Sequence, residues 1–181
     1  SSVSWGDVDG DGDDDIFVGG SKGFPSTLYI NKGKQKFENK FQPVFINDSK
    51  YEDMGSVFFD PDRDGDLDLF VVSGGVECDP GDPILQDRLY INDGNGNFGR
   101  AAEGLIPKLF ESGSVVSVAD INQDGRDDLF IGGRTVPGNY PSSPRSFILI
   151  NSGARFINET RKVAPSLANA GMVLSLIHIS E

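Results

Sequence analysis

The sequence has very few of the residues on which many enzymes and disulfide-rich domains depend. Among its 181 residues there is one cysteine, Cys78, and one histidine, His178. A single cysteine cannot form an internal disulfide, so cysteine content does not indicate the redox compartment. The sequence also lacks a run of about eighteen apolar residues, and we therefore expect no membrane insertion of this chain.

Positive charge is scarce as well. Sixteen Lys and Arg residues oppose 28 Asp and Glu residues, which gives a formal net charge of −12. Binding to phosphate backbones needs clustered Lys and Arg. The largest basic clusters, NKGKQK at 31–36 and RK at 161–162, are small, so we expect no nucleic-acid partner. No nucleophile motif of the GxSxG type occurs, and we expect no enzymatic activity from this chain.

Aspartate is the residue in excess, and its spacing is regular. The segment DPDRDGDLD at 60–68 places five aspartates at alternate positions directly before an apolar run. Like charges along one face of a strand are destabilising. A divalent cation would remove this repulsion, because calcium binds six to eight oxygens from carboxylates, backbone carbonyls and water. The segment therefore predicts a calcium-binding loop.

The pattern DxDxDGxxD, with Asn allowed at its third position, occurs three times. We therefore predict about three calcium ions, one in each loop. The predicted side-chain ligands are Asp7, Asp9, Asp11 and Asp15 in the first loop, Asp60, Asp62, Asp64 and Asp68 in the second, and Asp120, Asn122, Asp124 and Asp128 in the third. The glycine at the sixth position of each loop permits a sharp turn.

The EF-hand begins with a similar pattern but has a calcium-binding Glu at its twelfth position and a helix on each side. The twelfth positions here are Val18, Val71 and Ile131, which cannot bind calcium. The apolar runs that follow the loops are rich in β-branched and aromatic residues and end near glycine pairs, which favours strands.

The repeat extends well beyond the loop. A second strand pattern, LYIN or ILIN, follows each glycine pair, and a Phe follows at position 37, 98 or 156. Each unit therefore predicts one four-stranded antiparallel blade. We predict an all-β β-propeller fragment with blades at about 1–41, 54–100 and 113–160, plus the start of a fourth blade.

These loops and strands resemble FG-GAP or VCBS repeats, the calcium-binding blades of integrin α-subunit-like β-propellers. Within that group the chain is most similar to the secreted ASPIC and UnbV proteins related to cartilage acidic protein. The resemblance covers Ser1 to about Val173. It implies that each loop joins the first two strands of a blade and binds one calcium, with Asp13, Asp66 and Arg126 contributing backbone carbonyls only.

Calcium sites of the extracellular type bind at roughly 10⁻⁴ to 10⁻³ M and would stay empty in a cytosol. We therefore expect a secreted or cell-surface protein. The resemblance implies a ligand face opposite the aspartate loops, formed by 74–87 and 132–145. We expect a binding or adhesion module for a protein or glycan, with calcium in a structural role.

Two alternatives remain open. The first is the propeller of a polysaccharide-acting enzyme, for which one loop offers acids at Glu77, Asp79, Asp82 and Asp87. The second is a scaffold for a function located elsewhere in a longer protein.

The last residues depart from the repeat. Residues 169–173 resemble the start of the second blade, and in that register Leu176 stands where an aspartate is expected. The segment LSLIHISE at 174–181, which includes His178, resembles the translation of a transposase-type sequencing adapter. We therefore interpret 174–181 as a non-native tail.

Overall fold

Three antiparallel sheets of four strands each make up most of the chain, as a computed structural model of residues 2–34 and 36–173 shows. Within each sheet, strands that are consecutive in sequence are neighbours in space. This architecture confirms the prediction of an all-β, propeller-type fragment. None of the helices in the described residues is long and apolar enough to cross a membrane.

We call the sheets blades 1 to 3. Blade 1 comprises β1 (Val3–Gly6), β2 (Asp15–Val18), β3 (Thr27–Asn31) and β4 (Phe37–Lys40). Blade 2 comprises β5 (Glu52–Phe59), β6 (Asp68–Gly74), β7 (Arg88–Asn92) and β8 (Phe98–Arg100). Blade 3 comprises β9 (Ser112–Ala119), β10 (Asp128–Thr135), β11 (Phe147–Asn151) and β12 (Phe156–Asn158). The helices are α1 (Pro43–Asn47) and α2 (Thr160–Val163), and short 3₁₀ turns span Pro83–Leu85 and Pro165–Asn169.

Blade 2 is packed on both faces, and its second strand shows this most clearly. All seven residues of β6 are buried. Because side chains alternate between the two faces of a strand, Leu69 and Val71 join the core shared with blade 1, whereas Phe70 and Val72 join the core shared with blade 3. The continuous apolar pattern of β6 therefore reflects two neighbouring sheets.

Aromatic side chains fill the core between blades 1 and 2. Phe45 of α1 lies edge-on to Phe17, with ring centroids 5.5 Å apart, and to Tyr90, with centroids 5.2 Å apart. It also stacks on Phe98 at 6.1 Å. The linker helix α1 thus closes this core, although the sequence pattern did not predict a helix between the blades.

The two ends of the strands carry different connections. The aspartate segments, which we call loop 1 (7–15), loop 2 (60–68) and loop 3 (120–128), join the first and second strands of blades 1, 2 and 3. The longer segments between second and third strands lie at the opposite end. The predicted binding loop 132–145 starts later than expected, because β10 continues to Thr135.

The last described residues pack against blade 3. The Val173 N–H donates to the Gly133 carbonyl of blade 3 at 2.9 Å. The equivalent bond between blades 1 and 2 joins the Asp53 N–H, at the start of blade 2, to the Gly20 carbonyl at 3.1 Å. Residues 174–181, including Leu176 and His178, lie outside the described residues, so their interpretation as a non-native tail stays a prediction.

Candidate metal centres

The first aspartate of each loop organises the turn through its own carboxylate. Asp7 accepts the Gly10 N–H on Oδ1 at 2.8 Å and the Gly12 N–H on Oδ2 at 2.9 Å. The equivalent donors for Asp60 are Arg63 and Gly65. Asp120 accepts the N–H groups of Asp124 and Gly125, and Asp124 corresponds to Asp11, which also donates to Asp7 Oδ1. A carboxylate has about four lone-pair sites, so these bonds leave capacity for a cation.

Two positions in each loop have left-handed backbone conformations. The sixth residues Gly12, Gly65 and Gly125 have φ angles of 90°, 95° and 82°. These values strain any residue with a Cβ, which explains the glycine in the repeat. The fourth residues Gly10, Arg63 and Gln123 have φ angles of 73°, 64° and 60°. The Arg63 side chain is therefore carried on a left-handed backbone at the tip of loop 2.

The fifth and seventh positions bond to each other. The N–H groups of Asp13, Asp66 and Arg126 donate to the carboxylates of Asp11, Asp64 and Asp124 at 3.0, 3.0 and 2.8 Å, respectively. These bonds fix the last turn before the second strand. The calcium-binding role of the three carbonyls stays a prediction.

The ninth aspartate of each loop is buried and ties the loop to the third strand. The N–H groups of Asn31, Asn92 and Asn151 each donate at 2.8 Å to Oδ1 of Asp15, Asp68 and Asp128, respectively. Each of these aspartates is at most 1% exposed. We predicted them as metal ligands only, and their link to the third strand was missed.

Asp68 differs from its two counterparts in one hydrogen bond. Oδ2 of Asp15 accepts the Val8 N–H at 3.0 Å, and Asp128 accepts the N–H of the equivalent loop 3 residue, also at 3.0 Å. In loop 2 this position is Pro61, which has no N–H. Asp68 Oδ2 is consequently buried with no hydrogen-bond partner in the described structure.

Burial raises the pKa of Asp68 to about 7, against the lowering effect of the Asn92 N–H, and the charges of neighbouring aspartates add to the rise. An unpartnered buried carboxylate oxygen is costly unless a proton or a cation compensates it. Asp68 is therefore the strongest single indication of an ion in loop 2.

Carboxylates converge in two of the three loops. One oxygen from each of Asp60, Asp62 and Asp64 lies within 4.8 Å of the others, and loop 1 has an equivalent group. The members of that group are Asp7, Asp9 and Asp15. Across the part of the chain that the structure describes, the acids of loop 3 form no group of three at this spacing.

The loops also differ in the cations around them. The Lys32 ammonium lies 3.3 Å from Asp9 Oδ2 in loop 1. The Arg63 guanidinium lies 3.0 Å from the point that a Cβ on Gly125 would occupy, so it reaches from loop 2 to loop 3. For the described residues of loop 2, no Lys or Arg lies within ion-pair distance of its aspartates.

The asparagines at the ends of the third strands brace the loops of neighbouring blades. Asn92 Nδ2 donates to the Val8 carbonyl of loop 1 at 2.8 Å and to the Leu67 carbonyl of its own blade at 3.1 Å. Asn151 Nδ2 donates to the Pro61 carbonyl of loop 2 at 2.8 Å. This role was not predicted from the sequence, although the recurrence of Asn at the end of each LYIN-type strand was its signal.

A buried ionic network lies at the other end of blade 2. Arg88 is 1% exposed and forms an ion pair with Asp53, and its Nη1 lies 3.1 Å from the Tyr90 hydroxyl. That hydroxyl donates to Asp48 Oδ2 at 2.8 Å, and Arg100 binds Asp48 Oδ1 at 2.7 Å. Here the chain supplies its own cations to its buried acids.

A family model described as FG-GAP-like repeat matches the chain twice, over residues 7–71 and 60–131. The chain belongs to the FG-GAP-like repeat family. Each match begins at the first aspartate of a loop and ends in the second strand of the next blade, which agrees with the repeated sheets. A comparison with curated proteins gives no match.

Proposed function

We propose that this FG-GAP-like repeat chain is a calcium-stabilised β-propeller module of an extracellular protein. We further propose that it belongs near the integrin α-like and ASPIC/UnbV group and that it binds a protein or a glycan. The observation that carries the calcium proposal is Asp68 Oδ2, a buried carboxylate oxygen without a donor beside a cluster of three carboxylates.

The donor atoms in the loops fit calcium. All predicted side-chain ligands are carboxylate or amide oxygens, which are the ligands of hard cations. The loops contain no histidine or cysteine, the ligands that favour zinc. Calcium also tolerates irregular coordination, whereas magnesium needs near-octahedral geometry.

The position of the loops supports a structural role for the ion. Each loop joins two adjacent strands of one blade, and its ninth aspartate is bonded to the third strand. A bound calcium would hold these acids at the end of the sheet without mutual repulsion. Three divalent ions would also change the formal net charge from −12 to about −6.

Extracellular calcium sites bind at roughly 10⁻⁴ to 10⁻³ M. Sites of this strength fill outside the cell and stay empty in the cytosol, so a structural calcium supports a secreted or cell-surface location. The acidity of this chain and its lack of basic clusters support the absence of a nucleic-acid partner.

The segments at the opposite end of the blades are the proposed binding surface. Tyr140 is 87% exposed there, and an ion pair between Arg145 and Glu111 joins the blade 3 segment to the start of β9. Exposed aromatic side chains on anchored loops suit contact with sugars and proteins.

Two of the acids that a polysaccharide-cleaving activity would use have structural roles. Asp82 accepts the Ile84 N–H at 2.9 Å and caps a 3₁₀ turn. Asp87 is buried and accepts the Ser73 N–H at 2.8 Å. These bonds favour a binding module over an enzyme.

Thermal unfolding tests the calcium proposal. We expect EGTA to lower the Tm far more than NaCl at matched ionic strength changes it, because only the chelator restores repulsion within the loops. The double variant Asp60→Asn/Asp64→Asn should lose part of the calcium-dependent increase, while the exposed control Asp79→Asn should keep all of it. Equal Tm values with calcium and with EGTA would refute the proposal.

Binding is tested on arrays of glycans and extracellular matrix proteins, with calcium and with EGTA. We expect calcium-dependent binding to at least one array component and a weaker signal for Tyr140→Ala, whose exposed side chain makes little contribution to folding. Binding that is insensitive to both changes would contradict the proposed surface.

A further inference from the structure

Loop 2 keeps its negative charge uncompensated within the chain. It contains five aspartates, and the proline at its second position leaves Asp68 Oδ2 without a donor. Its only basic residue, Arg63, is directed at loop 3 rather than at the loop 2 carboxylates. One carboxylate oxygen from each of Asp60, Asp62 and Asp64 lies within 4.8 Å of the others, so like charges are crowded there.

Loop 3 likewise has no ion pair among the described residues, but it is less acidic than loop 2. Asn122 replaces an aspartate at the third position, and Arg126 stands at the seventh. The Arg63 guanidinium of the neighbouring blade lies close to Gly125, whereas the Arg126 guanidinium lies against Gly153. Asn122 Nδ2 also donates to Asp124 Oδ2 at 2.9 Å, so one carboxylate oxygen of loop 3 is already bonded within the loop.

A cation that enters loop 3 therefore meets fewer carboxylates than in loop 2, and the Arg63 guanidinium lies close by. Positive charges repel each other, and this repulsion lowers the affinity for a divalent ion more than for a monovalent one. In loop 2 the same ion would meet only carboxylates and would supply the missing partner of Asp68.

We propose that loop 2 takes up calcium before loop 3 and that Arg63, although it belongs to loop 2, lowers the calcium affinity of loop 3 in the next blade. This inference rests on the proposed calcium binding. It assigns Arg63 as a residue that sets the affinity of a site in the neighbouring repeat.

The matched variant is Arg63→Gln. Gln123 occupies the equivalent position of loop 3 with a φ of 60°, close to the 64° of Arg63, so glutamine suits this backbone conformation. The control is Arg161→Gln, which removes the same charge from an exposed site on α2. Both variants are made in the full chain.

Calorimetric titration with calcium gives the stepwise affinities. Compared with the wild-type titration, the Asp124→Asn variant should lack the weakest binding step, and the Asp64→Asn variant should lack a tighter one. Arg63→Gln should tighten the weakest step by about two- to tenfold, because exposed charge pairs contribute modestly. Arg161→Gln should leave all steps unchanged. High NaCl should shrink the difference between Arg63→Gln and wild type, since salt screens exposed charges.

The outcomes separate the two proposals. Calcium binding with an unaltered weakest step in Arg63→Gln overturns the role of Arg63 and leaves the proposed function intact. Loss of a tight step in Asp124→Asn overturns the order of filling. A wild-type chain that binds no calcium overturns both the order of filling and the proposed function.

Discussion

The two ends of blade 2 bring carboxylates together in different ways. At the end opposite the aspartate loop, Asp53 and Asp48 are buried against Arg88 and Arg100. At the loop end, Asp68 is equally buried but has no cationic partner, and three further carboxylates converge beside it. At one end arginines pair with Asp53 and Asp48, whereas at the other end the buried Asp68 has no cationic partner.

This difference shows which buried acids have a cationic partner within the chain and which do not, and the proposed calcium binding concerns the second group. The formal charge of −12 does not distinguish the two groups. The arginines do, because a buried carboxylate needs a compensating charge or proton, and within the described residues arginine forms ion pairs with the buried acids at only one of the two ends. The effect of calcium on stability should therefore differ between substitutions at the two ends.

The largest effect is expected at the arginine end. Replacing Arg88 with Met leaves Asp53 buried without its cation and should lower the free energy of unfolding by about 3–5 kcal/mol. Urea unfolding should give the same loss with calcium and with EGTA, since the site lies at the far end of the blade. A loss of stability seen only in EGTA would show that the arginine end also depends on calcium and would contradict the difference between the two ends.

The next effect depends on pH and concerns Asp87. Burial raises the pKa of Asp87 from 3.8 to about 7, so its carboxyl keeps a proton in the folded state up to about neutral pH. The cost of ionising it is absent below about pH 4, grows with pH and is complete above about pH 7. Asp87→Asn should therefore stabilise the protein at pH 8, by at most about 4 kcal/mol.

Blades 1 and 3 provide a matched comparison for this prediction. Ser26 and Ser146 occupy the equivalent positions. In blade 3 the Ser146 hydroxyl accepts the Gly133 N–H of β10 at 3.0 Å, whereas in blade 1 the Gly20 N–H lies 3.4 Å from the Ser26 hydroxyl and closer, at 2.8 Å, to Asp53 Oδ2. Blade 3 therefore shows that a neutral acceptor is sufficient at this position. Thermal unfolding of Asp87→Asn should show its gain at pH 8 and no gain near pH 4; an equal gain at both pH values would contradict the assigned cause.

A smaller effect is expected at the loop end. Pro61→Ile introduces the residue that loop 3 has at the equivalent position, Ile121, and supplies an N–H for Asp68 Oδ2. We expect a gain of about 1–3 kcal/mol in EGTA, the usual cost of an unsatisfied buried group. The gain should shrink in calcium, where the ion already compensates the oxygen. A gain that is equal under both conditions would indicate that no ion reaches Asp68.

The smallest effect is expected for the brace between blades. Asn151→Ala removes the bond to the Pro61 carbonyl and should cost about 1 kcal/mol. Asn31→Ala is the control, because Asn31 Nδ2 donates only to the exposed Asp14 carbonyl of its own blade. Urea unfolding should separate the two variants, and equal losses would argue against an energetic role for the brace.

The sequence predicted the blades because their features are local and repeated. The spacing of the aspartates, the glycine at the sixth position and the apolar runs all lie within one unit, so the family and the sheets could be predicted from them. The carboxylates that cluster in loops 1 and 2 all belong to residues predicted as metal ligands.

The features that were missed depend on contacts between distant residues. Arg88 opens a strand whose pattern gave no reason to expect a fully buried charge, because its partner Asp53 comes from another strand of the blade, 35 residues earlier. The missing donor of Asp68 became visible only when Pro61 could be compared with its counterparts in three dimensions. Periodicity predicts elements, whereas such pairs depend on how the elements pack.

The asparagine brace gives the array a direction. Asn92 and Asn151 each donate a hydrogen bond to the aspartate loop of the preceding blade. Each blade therefore supplies the asparagine that braces the aspartate loop of the preceding blade. Its own aspartate loop is braced by the asparagine of the following blade. Deleting blade 2 without a replacement would therefore remove the brace on loop 1 but leave loop 3 unaffected. A duplicated blade could replace another only if it is joined in the same order along the chain.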